Sequence, residues 1–177
     1  MQKKIKLLSA FLASTALFLA LAPQSRQIAQ DKPFSIFLLR RPCVNTGIGN
    51  WDRREEDVSV GRAVYTSRLF MGPGNRFASM TCRLQPNDAN VIFQSLRLEF
   101  GMRDNDGGSP PVNVNIYQDG RRVEARTVSP GQREVVALDV TATSNVAIEA
   151  ICSNQTKYCD RVYFWEANLE YPPIPRL

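Results

Sequence analysis

The chain has no histidine among its 177 residues. Neither a Ser-His-Asp nor a Cys-His catalytic arrangement is therefore available. Its four cysteines form no C-x-x-C pair, which together with the lack of histidine and an expected oxidising compartment argues against a zinc site. Lysine is scarce beyond the N-terminus, where only Lys32 and Lys157 follow Lys6. No apolar run after the N-terminal one reaches the ~20 residues of a transmembrane helix. No segment outside the N-terminus carries a convincing 3.6-residue period, which argues against a helical fold. There is no internal repeat and no low-complexity block.

What is present begins as an export signal. Lys3, Lys4 and Lys6 form a basic region, and residues 7–21 form an apolar run of the length a signal peptide uses. Residues 1–29 are expected to be signal peptide and processing region. Ala20-Leu21-Ala22 offers an A-x-A cleavage site, but Pro23 follows it, so a cut near Ala29 is the other option. An uncleaved anchor is the third, and the one route to membrane contact. No cysteine follows the apolar run to take a lipid. A cut after Ala29 removes Lys3, Lys4, Lys6 and Arg26 and no acid, which takes the net charge of +5 close to neutral. The basic pI then reflects targeting, and no nucleic-acid partner is expected. The roughly 145 residues that remain suit one domain with one core, secreted or periplasmic.

The even count of Cys43, Cys82, Cys152 and Cys159 in an exported chain suggests two disulfides. Three pairings are possible. The short spacing favours Cys152–Cys159, with Cys43–Cys82 by elimination.

Alternation organises the rest. Residues 30–43 read as a linker with a possible first strand at 35–39, residues 44–171 as the folded domain, and 172–177 as a proline-rich tail that ends it. Gly72-Pro73-Gly74-Asn75 is a strong turn signal. Between residues 76 and 84, Ala78, Met80, Cys82 and Leu84 share one face. Leu96, Leu98, Phe100 and Met102 line the next strand, and Val112, Val114 and Ile116 the one after. Asp119-Gly120 is a favoured two-residue hairpin turn, with residues 121–128 as the return strand. Further strands are expected at 134–140, 145–151 and 162–171. Eight or nine short strands at this spacing imply an all-β fold, an antiparallel β-sandwich or jelly roll.

A family resemblance rests on the order of several elements. These are 60–65 (VGRAVY), Phe70-Met71-Gly72, 96–104 (LRLEFGMRD), 114–120 (VNIYQDG), Leu138-Asp139-Val140, and 160–165 (DRVYFW) with Ala167. In that order they resemble the NPCBM domain, a galactose-binding-like β-sandwich often attached to glycoside hydrolases. The resemblance spans about Asn50 to Tyr171. The chain departs from the family in lacking a histidine after Phe70-Met71-Gly72 and in carrying four cysteines. The resemblance implies a non-catalytic carbohydrate-binding module, with no cofactor.

The residues themselves supply candidates for such a site. Glu55, Glu56, Asp57, Asp104, Asp106 and Asp160 could in principle form a glycosidase pair, but carboxylates of this kind are expected to be solvated, and no enzymatic activity is expected. Asp104-Asn105-Asp106-Gly107-Gly108 resembles a calcium loop only at first sight, because its sixth and twelfth positions hold Ser109 and Asn115. It is expected to be a turn, with no metal. A sugar site needs aromatic faces for the ring and planar polar groups for the hydroxyls. Trp51 and Tyr158 lie in expected loops, whereas Trp165 is expected in the core and Tyr117 on an outer sheet face. The expected ligand set is Trp51, Arg53, Asp104, Asn105, Asn154, Lys157 and Tyr158, with Asn50 a further polar candidate. The partner would be a glycan or another component of the cell envelope. The alternative is a structural or protein-interaction module of the envelope with no sugar site, for which Trp51 packed inward would be the mark.

Overall fold

The computed structural model describes residues 34–84 and 92–172. The expected signal peptide, the loop expected at 85–89 and most of the proline-rich tail lie outside the described residues. The strands are β1 (Ser35–Phe37), β2 (Cys43–Asn45), β3 (Asn50–Asp52), β4 (Glu56–Val60), β5 (Ala63–Ser67), β6 (Leu69–Gly72) and β7 (Phe77–Arg83). They continue as β8 (Ser95–Gly101), β9 (Val112–Gln118), β10 (Arg121–Val128), β11 (Arg133–Asp139), β12 (Asn145–Cys152) and β13 (Val162–Glu170). A single 3-10 turn, Leu38–Arg40, follows β1.

Two antiparallel sheets pack as a sandwich. One runs β11-β8-β13-β6-β3 with β1 also on β13, the other runs β10-β9-β12-β7-β2, and β4–β5 stand apart as a hairpin. The facing sides are the ones the alternation picked out. Met80, Cys82 and Leu84, then Leu96, Leu98 and Phe100, then Val112, Val114 and Ile116 are all buried in one core cluster. At Asp119-Gly120 both residues have positive φ, +47° and +83°, as a tight hairpin between right-twisted strands requires.

Among the described residues thirteen strands replace the expected eight or nine. The additions are mostly segments of three or four residues, β2, β3 and β6, too short to display a period. The fold also reaches further toward the N-terminus than residue 44. Strand β1 pairs with β13 from Ser35 against Glu170 to Phe37 against Asn168, and Phe37 and Leu38 join the core.

Strand β13 buries both faces at its start. Val162 and Phe164 point between the sheets. Tyr163 and Trp165 point outward, where Val58 and Val60 of the hairpin cover them together with Phe70. The register against β8 slips between Phe164 and Glu166, so Ala167 and Leu169 return to the core on the opposite parity. A strand covered on two sides reads as a continuous apolar run rather than an alternation. The hairpin is tied down at its tip. Asp104 accepts from Ser59 Oγ at 2.5 Å, from the Gly61 backbone at 2.7 Å and from the Arg62 backbone at 3.1 Å.

Both disulfides form in the favoured pairing. Cys43–Cys82 joins paired positions of β2 and β7, and Cys152–Cys159 closes the loop that follows β12.

Candidate functional site

Three connections meet at one end of the sandwich: residues 46–49, the Gly72-Pro73-Gly74-Asn75 turn, and the Cys152–Cys159 loop. Their backbones are stitched to each other and to the sheet. Gly49 donates to Phe77 O at 2.7 Å, Arg76 to Pro73 O at 3.1 Å, Cys152 to Arg76 O at 2.8 Å and Cys159 to Gly74 O at 2.8 Å. Gly49 is required by close approach, since a Cβ there would lie 2.5 Å from Gly72 O. Gly74 sits at φ +61°, a conformation that L side chains rarely adopt.

An open cleft of about 340 Å³ lies among these connections. Tyr158 forms one wall and is 68% exposed. A Cβ on Gly74 would lie 3.6 Å from Tyr158 Cε2, so the turn abuts the tyrosine ring. Asn50, Asn75 and Arg76 contribute polar side chains to the lining, and Ile48 adds an exposed apolar one. Among the described residues Arg76 forms no ion pair. A ring face beside amide and guanidinium groups on fixed backbone can stack a pyranose and hydrogen-bond its hydroxyls.

The expected ligand residues divide. Tyr158 lines the cleft. Asn154 and Lys157 share its loop, but the Asn154 carboxamide oxygen is taken up by Thr156, accepting from its N at 3.0 Å and its Oγ1 at 2.7 Å. Lys157 is exposed beside Tyr158. Trp51 is not in a loop. It lies in β3 opposite Met71, packs half-buried against the core, and its Nε1 is buried without a partner among the described residues. The pairing of β3 with β6 sets its ring on the same face as Met71, toward the core. Arg53 is exposed just past that strand. Asp104 and Asn105 belong to the connection after β8 and do not line the cleft. The Asp104 carboxyl is held below the usual aspartate range, chiefly by the Ser59 hydroxyl and then by the Arg62 amide. That is the role of a structural anchor.

The other carboxylates also lie away from the cleft. Asp106 is buried and paired with Arg103 at 2.9 Å. Burial pushes the Asp160 carboxyl up, and Asp106 adds to this, while Arg103 and Arg161 oppose it. Asp57 accepts from Thr66 Oγ1 at 2.8 Å, and Glu55 is exposed. Glu56 Oε1 is buried without a partner among the described residues. None of the six lines the cleft. Among the described residues no group of three or more His, Cys, Asp or Glu side chains is placed to hold a metal.

Trp165 is a core residue, as expected. It stacks on Tyr65 with ring centroids 4.2 Å apart and donates from Nε1 to Glu99 Oε2 at 3.1 Å. Tyr117 also spends its hydroxyl within the sheet, donating to Glu149 Oε2 at 2.7 Å. Sequence reasoning missed Ile48, Asn75 and Arg76. For Asn75 and Arg76 the signal was the Gly72–Asn75 turn, and for Ile48 the glycine-rich stretch at 46–49; each marks a loop but not what it faces. A second cleft, of about 420 Å³, opens at the opposite end among Gln118, Asp119, Arg121 and Asp139. It has no aromatic wall, and its carboxylates are held by backbone amides: Asp119 accepts from Ser144 and Asn145 across the sheet end, and Asp139 from Thr141 within its own turn.

The sandwich is similar to solved carbohydrate-binding modules. Against the CBM51 from Clostridium perfringens GH95, solved in complex with methyl-galactose, the TM-score is 0.60 at 11% identity, covering 77% of this chain and 99% of that one. Against the structure of CBM51-2 in complex with GlcNAc and INT domains from Clostridium perfringens ZmpB, the TM-score is 0.62 at 10% identity, covering 78% of this chain and 32% of that one. No protein-family model and no curated protein sequence matches the chain. At these identities the likeness establishes the fold, a β-sandwich of the kind that carbohydrate-binding modules use.

Proposed function

We propose that this chain is an exported, non-catalytic carbohydrate-binding module that holds a cell-wall or surface glycan in the Tyr158 cleft. The observation that carries the reading is the exposed tyrosine ring on a disulfide-closed loop, beside a cleft with Asn50, Asn75 and Arg76 in its lining. The sugar's apolar face lies on the tyrosine, and the amide and guanidinium groups bond its hydroxyls. Because the loops are tied by backbone hydrogen bonds before ligand arrives, little ordering cost is left for binding. The two disulfides support an oxidising compartment, and the resemblance to NPCBM and the likeness to CBM51 modules support a glycan as partner. A cleft without a carboxylate supports binding without turnover.

A glycan array with the folded chain, repeated on Tyr158→Ala, tests this. Binding that the substitution abolishes without changing the unfolding midpoint is the expected result. A well-folded protein that binds no glycan sinks the reading. One observation favours the alternative of a structural or protein-interaction module: Trp51 packs inward. On that alternative Tyr158→Ala leaves every glycan signal at background and instead weakens capture of an envelope protein.

A further inference from the structure

The charge of the cleft narrows the ligand, on the premise that the cleft binds sugar at all. Its lining includes one charged side chain, Arg76, and no acid. Arg76 is exposed and, among the described residues, forms no ion pair, unlike Arg97, Arg103 and Arg126. Its backbone is gripped on both sides, by Pro73 O and by the Cys152 amide, so the guanidinium projects from a fixed base. Lys157 adds a second exposed cation next to Tyr158 in the chain.

No acidic side chain lines the cleft itself. Asp160 has Asp106, Arg103 and Arg161 as its charged neighbours. An unpaired guanidinium carried on a fixed backbone is complementary to a planar carboxylate, which it can bind through two parallel hydrogen bonds. A neutral sugar offers it only hydroxyls.

We infer that the Tyr158 cleft selects an acidic sugar, a pyranose whose carboxylate pairs with Arg76 while its ring stacks on Tyr158. The pair is solvent-accessible, so its contribution falls as salt screens it.

Calorimetric titration of the full chain, with both disulfides formed, tests this. The ligands are methyl glucuronide, galacturonic acid, methyl galactoside, N-acetylglucosamine and galactose 6-sulfate, each at low and high sodium chloride. The uronates should bind about tenfold more tightly than the neutral sugars at low salt, and the margin should shrink at high salt. Arg76→Gln should erase the margin, lowering uronate affinity more than neutral-sugar affinity, Arg76→Lys should keep part of the margin, and Tyr158→Ala should weaken all ligands together. Neutral sugars binding as tightly as uronates overturns the inference while leaving the glycan-binding reading intact. Binding to none of the five by folded protein overturns the acidic-sugar inference, and the glycan array then decides the glycan-binding reading. Tighter binding of galactose 6-sulfate than of either uronate overturns the carboxylate assignment in favour of a sulfate ester.

Discussion

The two disulfides should separate stability from binding. Cys43–Cys82 closes a sequence separation of 39 and Cys152–Cys159 one of 7. In the chain-entropy treatment these contribute about 3.9 and about 2.4 kcal/mol respectively, a difference of about 1.5 kcal/mol set by loop length. All four sulfurs are replaced by alanine in pairs, to avoid leaving free thiols. Equilibrium urea unfolding of Cys43→Ala/Cys82→Ala should therefore show the larger loss. Binding should run the other way. Cys82 pairs with Val146 at the start of β12, the end of the sandwich away from the cleft. The loop at 46–49 is held by its own bonds to β7, from Thr46 to Ser79 O at 2.9 Å and from Gly49 to Phe77 O at 2.7 Å. Cys159, in contrast, adjoins Tyr158 and bonds to Gly74. Cys152→Ala/Cys159→Ala should lose less stability and more sugar affinity, read by titration well below the unfolding midpoint. Equal affinity in the two variants, or a larger stability loss from the short loop, would refute the reasoning.

Phe164→Ala removes a fully buried ring that packs on Phe100 with centroids 5.0 Å apart; it should cost about 3–5 kcal/mol, measured by urea unfolding. Gly49→Ala places a Cβ 2.5 Å from Gly72 O, a backbone atom, so it should shift the cleft and weaken sugar binding; unchanged affinity and an unchanged melting temperature would contradict the packing described. Asp104 has a carboxyl held below its unfolded value by Ser59 and Arg62. Its stabilising effect is therefore present above the ordinary aspartate pKa of 3.8 and lost as pH falls through the folded value. Asp104→Asn should be less stable than the parent at pH 7, and the two should converge in acid. A gap of constant size across a pH series of unfolding midpoints would rule out the anchor.

Much of the architecture was legible because period-2 burial writes itself into residue order. Strand β10 occupies the residues expected of it, 121–128, and β7, β8 and β9 present the faces that alternation assigned. Alternation failed where a strand is covered twice. In β13 the hairpin buries Tyr163 and Trp165 while the opposite sheet buries Val162 and Phe164, and a register slip then inverts the parity. No local pattern encodes a hairpin arriving from a hundred residues earlier in the chain.

The site shows the same division. The sequence by itself determined the all-β class, the favoured disulfide pairing and a tyrosine beside Cys159, since each depends on residue type and short spacing. Only the tertiary structure decided which loops meet. Ladder pairing of β3 with β6 turned Trp51 into the core, and the bond network at the hairpin tip claimed Asp104. The packing of three connections at one end placed Asn50, Asn75 and Arg76 around the same cleft as Tyr158. Their separation along the chain carries no information about that meeting, because strand order and register, set by burial across two sheets, determine which loops become neighbours.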